Sequence, residues 1–285
     1  MLRADRSGSG LAAGSAVRAL GLGGLAALLL FTVAPGAGAQ EGGVDWTLRV
    51  GAALGPDYEG SEDYEPFPSL GVRAAWGDGY FVDLGGSTLR AIQLRGNVIP
   101  GGRFQAGPLL NFRLERDDVD NDQVDDLDDV DNAFELGGFF GYVHRFQGRR
   151  GMTLGANVQF AADVSDAHNG WLFQPGIDFA LPLGESFTLS ARGFSTYATE
   201  KYMSTYFGID NKNAAFSGLD RFDADAGFKD VGLGLGLNYR ISDSWGLNLQ
   251  GGYTRLIGDA EDSPVTDDEG SANQFFGGAG FTFSF

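Results

Sequence analysis

The feature that most constrains this chain is an alternation of apolar residues with polar or small ones, which recurs about twelve times along the sequence. Residues 231–240, for example, read VGLGLGLNYR. Successive side chains of a β-strand point to opposite faces, so each such run has one apolar face and one polar or glycine-lined face. The pattern therefore predicts an all-β protein.

The length of the alternating runs distinguishes between classes of β protein. Most of them extend over about 11–14 residues, whereas strands of soluble sandwiches are usually nearer to five or six. A tilted strand that crosses a membrane needs about 9–11 residues. We predict membrane-spanning strands, with local bulges at Pro108 and Pro175, where proline removes a backbone donor. The predicted ranges are 44–54, 66–76, 79–85, 87–95, 103–115, 133–146, 150–163, 170–182, 186–199, 228–240, 244–257 and 273–285.

The connections between the runs are alternately short and long. Bacterial outer-membrane barrels have short periplasmic turns and long extracellular loops, and they close because lipid offers no hydrogen bonds to a free sheet edge. The predicted fold is an antiparallel transmembrane β-barrel of about 12 strands, of the outer-membrane type, with the long loops outside the cell. These long segments are 55–65, 116–132, 200–227 and 258–272.

The first 39 residues read as a secretory signal peptide. Three arginines precede an apolar stretch at 20–33, and small residues follow as far as Ala39. The alternative, a transmembrane helix, needs about 20 apolar residues, and this stretch has roughly 14. We predict export with cleavage after Ala39, a single barrel domain over residues 40–285, and a location in the outer membrane in contact with its lipids.

Composition excludes several other classes of protein. The chain has no cysteine, which rules out disulfides and thiolate metal sites. Its 38 acidic residues outnumber 20 basic ones and give a formal net charge of -18, whereas a nucleic-acid-binding protein needs a basic surface. We therefore expect no nucleic-acid partner, and no motif in the sequence indicates a cofactor.

The two histidines offer little support for catalysis. His144 lies at a predicted periplasmic strand end, and His168 lies in a loop with Ser165 and Asp166. A Ser–His–Asp site needs its three groups within hydrogen-bond reach of one another, which neighbours on one short loop rarely achieve. We predict a protein that is not an enzyme, with an outer-membrane lipase or protease as the alternative to test.

The loop at 116–132 holds nine aspartates. Its spacing resembles the start of an EF-hand calcium loop, but Gln123 replaces the required glycine, and an aspartate replaces the bidentate glutamate. We interpret the segment as a solvated acidic loop that binds divalent cations loosely at most. The residues considered for such binding are Asp118, Asp120, Asp122 and Asp129.

The polar strand faces point into the lumen if the apolar faces meet lipid. These polar side chains either line a channel or ligand site, or pair with one another in a packed interior. The strand number leaves both open, because a barrel of twelve strands is intermediate in width between small filled barrels and open 16-stranded porins. The longest loop, 200–227, is rich in aromatic residues, and we expect it to fold against or partly into the extracellular mouth. The predicted lumen-lining residues are Arg103, Arg113, Asn157, Gln159, Asp178, Arg192, Asn238, Asn248 and Gln250.

Several short motifs, spread over nearly the whole chain after the signal peptide, point to one family. They are GPDYEGS at 55–61, PFP at 66–68, YMSTYFG at 202–208, SGL at 217–219, FKDV at 228–231, RLIGDA at 255–260, DSP at 262–264, NQF at 273–275 and the terminal Phe285. Together they resemble the MipA/OmpV family, the MltA-interacting protein and outer membrane protein V group. The acidic insert at 117–131 does not resemble a shared feature.

The resemblance implies an outer-membrane barrel and, as in the family's namesake, a scaffold that joins a murein lytic transglycosylase to a peptidoglycan synthase. Other members are linked to adhesion, osmotic response or envelope permeability, so a narrow porin or a permeability or adhesion factor is the alternative role. A scaffold must present a periplasmic surface, although the predicted turns there are short. We predict docking through Ile99 and Pro100 on one turn and Arg149 and Arg150 on another.

Overall fold

The structure, a computed structural model, describes residues 43–88, 91–148 and 151–285. Two sequence predictions lie outside the described residues. They are the signal peptide with its cleavage site after Ala39, and the docking pair Arg149 and Arg150. Both stay predictions, as does the extent of the single domain over residues 40–285.

Across the described residues, twelve antiparallel strands form one closed barrel, which confirms the predicted fold class. The prediction misplaced one turn: it ended the third strand at residue 85, whereas the strand continues to Thr88 with a β-bulge after Gly86. Adjacent glycines at 85 and 86 read like a turn in the sequence. The strands are β1 Val44–Pro56, β2 Tyr64–Trp76, β3 Tyr80–Thr88, β4 Ala91–Asn97, β5 Phe104–Arg113, β6 Ala133–Arg145, β7 Thr153–Asp163, β8 Trp171–Leu183, β9 Phe187–Ala198, β10 Gly227–Arg240, β11 Trp245–Leu256 and β12 Asn273–Ser284.

Strand β1 closes the barrel by pairing with both β2 and β12. Val50 lies opposite Leu70 on one side and opposite Phe281 on the other. At the seam, Trp46 and Phe285 exchange two backbone hydrogen bonds, with N···O distances of 3.0 and 3.1 Å. Because each strand has two neighbours, the sheet presents no free edge to lipid.

The two prolines inside strands do not cause bulges, and that part of the prediction is wrong. Pro108 stays in register opposite Gly138, and Pro175 stays in register opposite Val158. The missing proline donors are accommodated differently. Pro108 lies just beyond the last pair of the ladder between β4 and β5, which is Arg95 with Leu109. The ladder between β8 and β9 omits the pair at Pro175 without a shift in register.

The outward face of the barrel is apolar. On β10, Val231, Leu233 and Leu235 each expose about half of their surface (51%, 52% and 50%), while the glycines between them face inward. One of these glycines makes room for an aromatic side chain, because a Cβ at Gly232 would lie 2.1 Å from the ring of Phe194. The interior is therefore narrowed by side chains at this level.

The helices of the described residues lie in loops at one end of the barrel, which we call the long-loop end; the opposite end, with turns such as 77–79 and 184–186, is the short-turn end. Within the three described ranges, no helix is long and apolar enough to span a membrane. The helices are α1 Asp122–Asp125, α2 Glu200–Phe207, α3 Asn211–Ser217, α4 Asp259–Asp262 and α5 Pro264–Asp267.

Candidate functional site

A lid covers the long-loop end of the barrel; it comprises residues 200–222 and contains α2 and α3. Tyr202, Met203, Tyr206 and Phe207 are buried on α2. Residues at this spacing share one face of a helix. That face packs on apolar residues at the ends of β8, β9 and β11. The loop thus folds against the mouth of the barrel, as its aromatic content led us to expect.

The aspartate-rich loop is solvated through its carboxylates, as expected, but it also supports the lid, which was not predicted. Val119, Val124 and Leu127 are buried, and they belong to an apolar cluster that also contains Ile209 and Leu219 of the lid. The carboxylates point outward while the few apolar residues between them point inward. In the sequence, nine aspartates outweigh this sparse apolar pattern, which is why composition alone suggested a loop without a core.

The four aspartates considered as cation ligands, Asp118, Asp120, Asp122 and Asp129, are all exposed. Their local order comes from a helix start: the Asn121 side chain accepts the backbone N–H groups of Gln123 and Val124, both at 3.0 Å, and begins α1. Among the residues that the structure describes, no group of three or more His, Cys, Asp and Glu side chains is placed to hold a metal ion.

Directly beneath the lid lies a buried charged cluster, which we call the latch: Tyr202, Glu59, Lys229 and Asp230. The Tyr202 hydroxyl donates to Glu59 Oε2 at 2.8 Å, and Lys229 Nζ donates to Glu59 and to Asp230 Oδ2, the latter at 2.8 Å. Burial works against ionisation of Glu59, but Lys229 and Arg113 outweigh it and keep the pKa of Glu59 below its ordinary value. Burial raises the pKa of Tyr202 well above its ordinary value, so the phenol stays a neutral donor.

A second hydrogen-bonded group is centred on Glu135, which is fully buried on β6. Its carboxylate accepts from Arg113 Nε at 2.7 Å and from Asn111 Nδ2 at 2.8 Å, and it lies 3.3 Å from His168 Nε2. His168 Nδ1 accepts the N–H of Gly170 at 3.1 Å. Since Nδ1 is an acceptor, the neutral imidazole carries its proton on Nε2 and donates it to Glu135.

The three residues considered for catalysis do not form a triad. The Ser165 hydroxyl donates to Asp163 Oδ1 at 2.7 Å, and the Asp163 carboxylate also accepts the backbone N–H of His168 at 2.7 Å. The imidazole of His168 faces Glu135, in the barrel interior. The loop is thus organised around Asp163, and the Ser165 hydroxyl binds that carboxylate and not the imidazole of His168.

Below the latch, a cavity of about 60 Å³ occupies the interior; we call it the outer cavity. It has room for about four to six water molecules. Gln93 Nε2 donates to Asn111 Oδ1 and to Gln159 Oε1, both at 2.9 Å, and Arg192 Nη2 donates to Gln174 Oε1 at 3.2 Å. Gln93 on β4 and Gln159 on β7 have two strands, β5 and β6, between them, so their contact spans part of the lumen. Hydrogen-bonded side chains thus narrow the interior at this level.

The structure places eight of the nine predicted lumen-lining residues on the inward face. Buried or half-buried there are Arg113, Asn157, Gln159, Asp178, Arg192, Asn238, Asn248 and Gln250. Arg103 instead precedes β5 and is exposed at the short-turn end. Several of the eight pair with one another: Asn157 donates to Asp178, and Asn248 donates to Asn238 Oδ1 at 2.9 Å. These contacts favour the packed interior over an open, water-lined channel.

Sequence reasoning missed several charged residues of the interior, among them Arg49, Arg73 and Arg95. Lys229 and Asp230 sit at a β-bulge that breaks the alternation of β10, and Asp83 faces Arg95 across the hairpin whose turn was misplaced. Glu135 carried a usable signal, because it is the acidic residue on the inward face of β6, where Leu136 and Phe134 mark the outward face. Glu59, the latch residue of the 55–65 loop, gave no such periodic signal, because loop residues have no strand periodicity.

At the short-turn end, the structure describes one of the two predicted docking turns. Pro100 is exposed and Ile99 is half-buried. The side chain of Asn97 fixes this turn: its Nδ2 donates to the carbonyls of Gly79 at 2.7 Å and Ile99 at 2.8 Å, and its Oδ1 accepts the N–H of Ala106 at 2.8 Å. One buried amide thus connects two neighbouring turns.

Further contacts extend this connection. The N–H of Gly101 donates to the Asp78 carbonyl at 2.8 Å, and Arg145 Nη1 donates to the Gly102 carbonyl at 2.7 Å. We call the joined turns, residues 77–79 and 98–103, the turn platform. Val98 is 62% exposed on it. The platform is a small surface that is held together by side-chain to backbone hydrogen bonds.

Comparison with solved structures returns outer-membrane proteins of low sequence identity. The NanC porin has a TM-score of 0.49 and 10% identity, over 85% of this chain and 100% of the porin. OmpT, an outer membrane protein of Vibrio cholerae, has a TM-score of 0.37 and 10% identity, over 88% of this chain and 100% of OmpT.

Comparison of sequences identifies the family. Outer membrane protein Omp26La of Vibrio anguillarum is 25% identical over 247 residues, which are 84% of this chain and 86% of the relative. The putative outer membrane protein YiaT of Escherichia coli K12 is 30% identical over 156 residues, which are 54% of this chain and 60% of YiaT. The family model of the MltA-interacting protein MipA matches residues 48–285, from within β1 to the end of the barrel. The chain is therefore an outer-membrane β-barrel protein that belongs to the MipA family.

Proposed function

We propose that this protein is a non-enzymatic scaffold, which holds a murein lytic transglycosylase, and through it a peptidoglycan synthase, at the periplasmic side of the outer membrane. The name of the family, the MltA-interacting protein, motivates the proposal. The observation that supports the proposal most directly is that the long-loop end is closed. The lid packs on the barrel rim, and Tyr202, Met203 and Phe207 are essentially inaccessible to solvent. A barrel that is closed in this way is better suited to anchoring a partner than to passing solutes.

Filling of the interior supports the same role. Beneath the lid, the latch links the 55–65 loop to β10, and Gln93 and Gln159 meet inside the lumen. Each of these buried side chains makes at least one hydrogen bond, and breaking a charge pair in a low-dielectric interior costs several kcal/mol. A pore that opened readily would have to break several of these contacts at once.

The turn platform is the docking surface that we assign to the periplasmic partner, since outer-membrane barrels keep their short turns in the periplasm. Its hydrogen bonds fix the turns before binding, which lowers the entropy lost on association. Val98 and Pro100 provide exposed apolar area, and Arg103 and Arg145 are exposed at its border. A stable interface buries about 800 Å² per partner, so we expect the partner to cover the platform and the neighbouring turn at 146–152.

The test is capture of a purified murein lytic transglycosylase by the refolded, immobilised barrel over a series of salt concentrations. We expect weak binding that falls as salt rises, because exposed charges are screened within about 10 Å at 0.1 M ionic strength. Replacement of Arg149 and Arg150 by glutamate should reduce capture several-fold. Added peptidoglycan synthase should be retained only when the transglycosylase is present.

The matched control reverses two charges at the opposite end of the barrel, with Lys212→Glu and Arg221→Glu, both on exposed parts of the lid. These variants should capture as much enzyme as the wild type, and heat-dependent electrophoretic mobility should show that every variant forms a barrel. Capture that is equal in the Arg149→Glu, Arg150→Glu variant and in the wild type at every salt concentration would refute docking at this end.

A second candidate is a narrow permeability factor, and the polar interior with its cavities favours it. Half of the residues that line the outer cavity carry amide or charged side chains, which would accept hydrated solutes. A lid that opens would be required, because the contacts of Tyr202 and Phe207 close the mouth. Planar-bilayer recording separates the two candidates: steady ion conductance of the wild type would favour the permeability factor over the scaffold.

A further inference from the structure

The interior of the barrel near the short-turn end is rich in arginine. Arg49, Arg73 and Arg95 converge on one carboxylate, Asp83, at N···O distances of 3.5, 3.2 and 3.5 Å. The register produces this arrangement, because Asp83 on β3 lies directly opposite Arg73 on β2 and Arg95 on β4. The third arginine reaches the cluster from β1.

The charges of this region do not balance. The single carboxylate of Asp83 offsets one of the three guanidinium charges that surround it. The next pair along the wall, Arg192 and Asp178, is neutral, with an N···O distance of 3.9 Å. At the exposed rim of the same inward face, the two positive charges of Arg145 and Arg240 exceed the one negative charge of Asp45. The short-turn half of the lumen is therefore positive, in a chain whose overall charge is -18.

A cavity lies against this cluster. It has a volume of about 40 Å³, and Arg73, Arg95, Gln105, Asn157 and Asp178 contribute to its lining; we call it the inner cavity. It has room for about three to four water molecules, which is the size class of a phosphate or carboxylate group. Its wall thus offers guanidinium and amide groups beside the Asp178 carboxylate and several aromatic side chains. Guanidinium groups are the side chains that bind oxyanions in pairs of hydrogen bonds.

Aromatic rings hold Arg73 and Arg95 in position, and Arg49 and Arg73 stay partly accessible. The guanidinium of Arg73 lies 4.2 Å from the ring centroid of Phe81, and that of Arg95 lies 5.4 Å from the ring centroid of Phe139. These rings stack on each other with centroids 6.3 Å apart. The side chains of Arg49 and Arg73 keep 21% and 22% of their surface exposed, so solvent reaches the cluster through the short-turn opening.

We infer that the inner cavity is a binding site for a small oxyanion of the phosphate or carboxylate class, which enters from the periplasmic side. The excess positive charge attracts the anion, and the low dielectric of the interior strengthens that attraction. Asp83 orients the arginines and competes with the anion for them. The site goes beyond the proposed scaffold function and does not depend on it.

The experiment is calorimetric titration of inorganic phosphate into the refolded barrel in detergent micelles. We expect saturable binding by the wild type. Arg73→Gln should weaken it at least fivefold, and Arg49→Gln should have a similar effect, because each removes one positive charge from a partly exposed position that tolerates the change. Arg221→Gln, on the exposed lid at the other end of the barrel, is the matched control and should bind as the wild type does.

Asp83→Asn separates a binding site from a structural cluster. It removes the competing carboxylate, raises the local charge by one and should tighten phosphate binding several-fold. Heat-dependent electrophoretic mobility confirms that each variant is folded before titration. The inference is overturned if the wild type gives no saturable heat, if Arg73→Gln and Arg49→Gln bind as tightly as the control, or if Asp83→Asn fails to bind more tightly than the wild type.

Discussion

Replacement of Leu235 by arginine tests which face of the barrel meets lipid. Leu235 lies on β10 between Ala191 of β9 and Gly251 of β11, and half of its surface is exposed. β10 runs from Gly227 to Arg240, so this residue is about 1.5 positions from the strand centre. At about 3.4 Å per residue and a tilt of about 40°, that displacement is roughly 4 Å along the membrane normal. The side chain therefore lies well within an apolar band about 25 Å tall.

Arginine at that depth should destabilise the barrel by about 2–4 kcal/mol, the cost of placing its charge against lipid near the midplane. The matched control is Gln250→Arg. Gln250 is half-buried on the inward face of β11, opposite Gly236 of β10 and so at nearly the same height. The same new charge would there meet polar side chains or water, and we expect a clearly smaller loss of unfolding free energy.

The assay is equilibrium unfolding by guanidinium chloride of protein folded into lipid vesicles, followed by tryptophan fluorescence. The slope of the transition should stay unchanged in both variants, so that the shift in midpoint reports stability. Equal losses for Leu235→Arg and Gln250→Arg would mean that the assignment of the two faces is wrong.

Three other predictions follow from the loops and the interior. Glu135→Ala should lower the unfolding free energy by about 3–5 kcal/mol, because it leaves the buried guanidinium of Arg113 uncompensated; a loss below about 1 kcal/mol in the same titration would contradict this. A cysteine in place of Asp120 should react with an impermeant thiol reagent on intact cells, and reaction only after rupture of the outer membrane would invert the orientation. Because the pKa of Glu59 is lowered in the folded state, its contribution to stability should be complete above about pH 4.5 and be lost as pH falls through the lowered pKa; Glu59→Gln should remove this acid dependence of lid protection in hydrogen exchange, and an unchanged profile would contradict the latch.

The barrel itself could be predicted from the sequence because one physical rule governs most of it. Each strand must present an apolar side chain to lipid at every second position, so the alternation reveals both the strand and its faces, as in β10 and β11. The rule fails where the chain departs from that periodicity. The β-bulges after Gly86 and Phe228 shift the pattern by one residue, and the glycines at 85 and 86 led the turn between β3 and β4 to be predicted too early.

The lid and the latch could be predicted only in outline. Aromatic residues in the 200–227 loop indicated a folded segment, but the partners of Tyr202 come from positions 59 and 229, which are 143 and 27 residues away in the sequence. No local pattern encodes contacts of that separation. The same holds for the three arginines around Asp83, whose convergence depends on the register of four neighbouring strands.

Closure of the lumen by the lid is tested most directly by single-channel recording of the refolded wild-type protein in planar bilayers with concentrated KCl on both sides. The packed contacts of Tyr202 and Phe207, together with the hydrogen bond between Gln93 and Gln159 inside the lumen, predict no conductance steps above those of the bare membrane. Stable, ohmic steps from correctly folded protein would contradict a closed barrel.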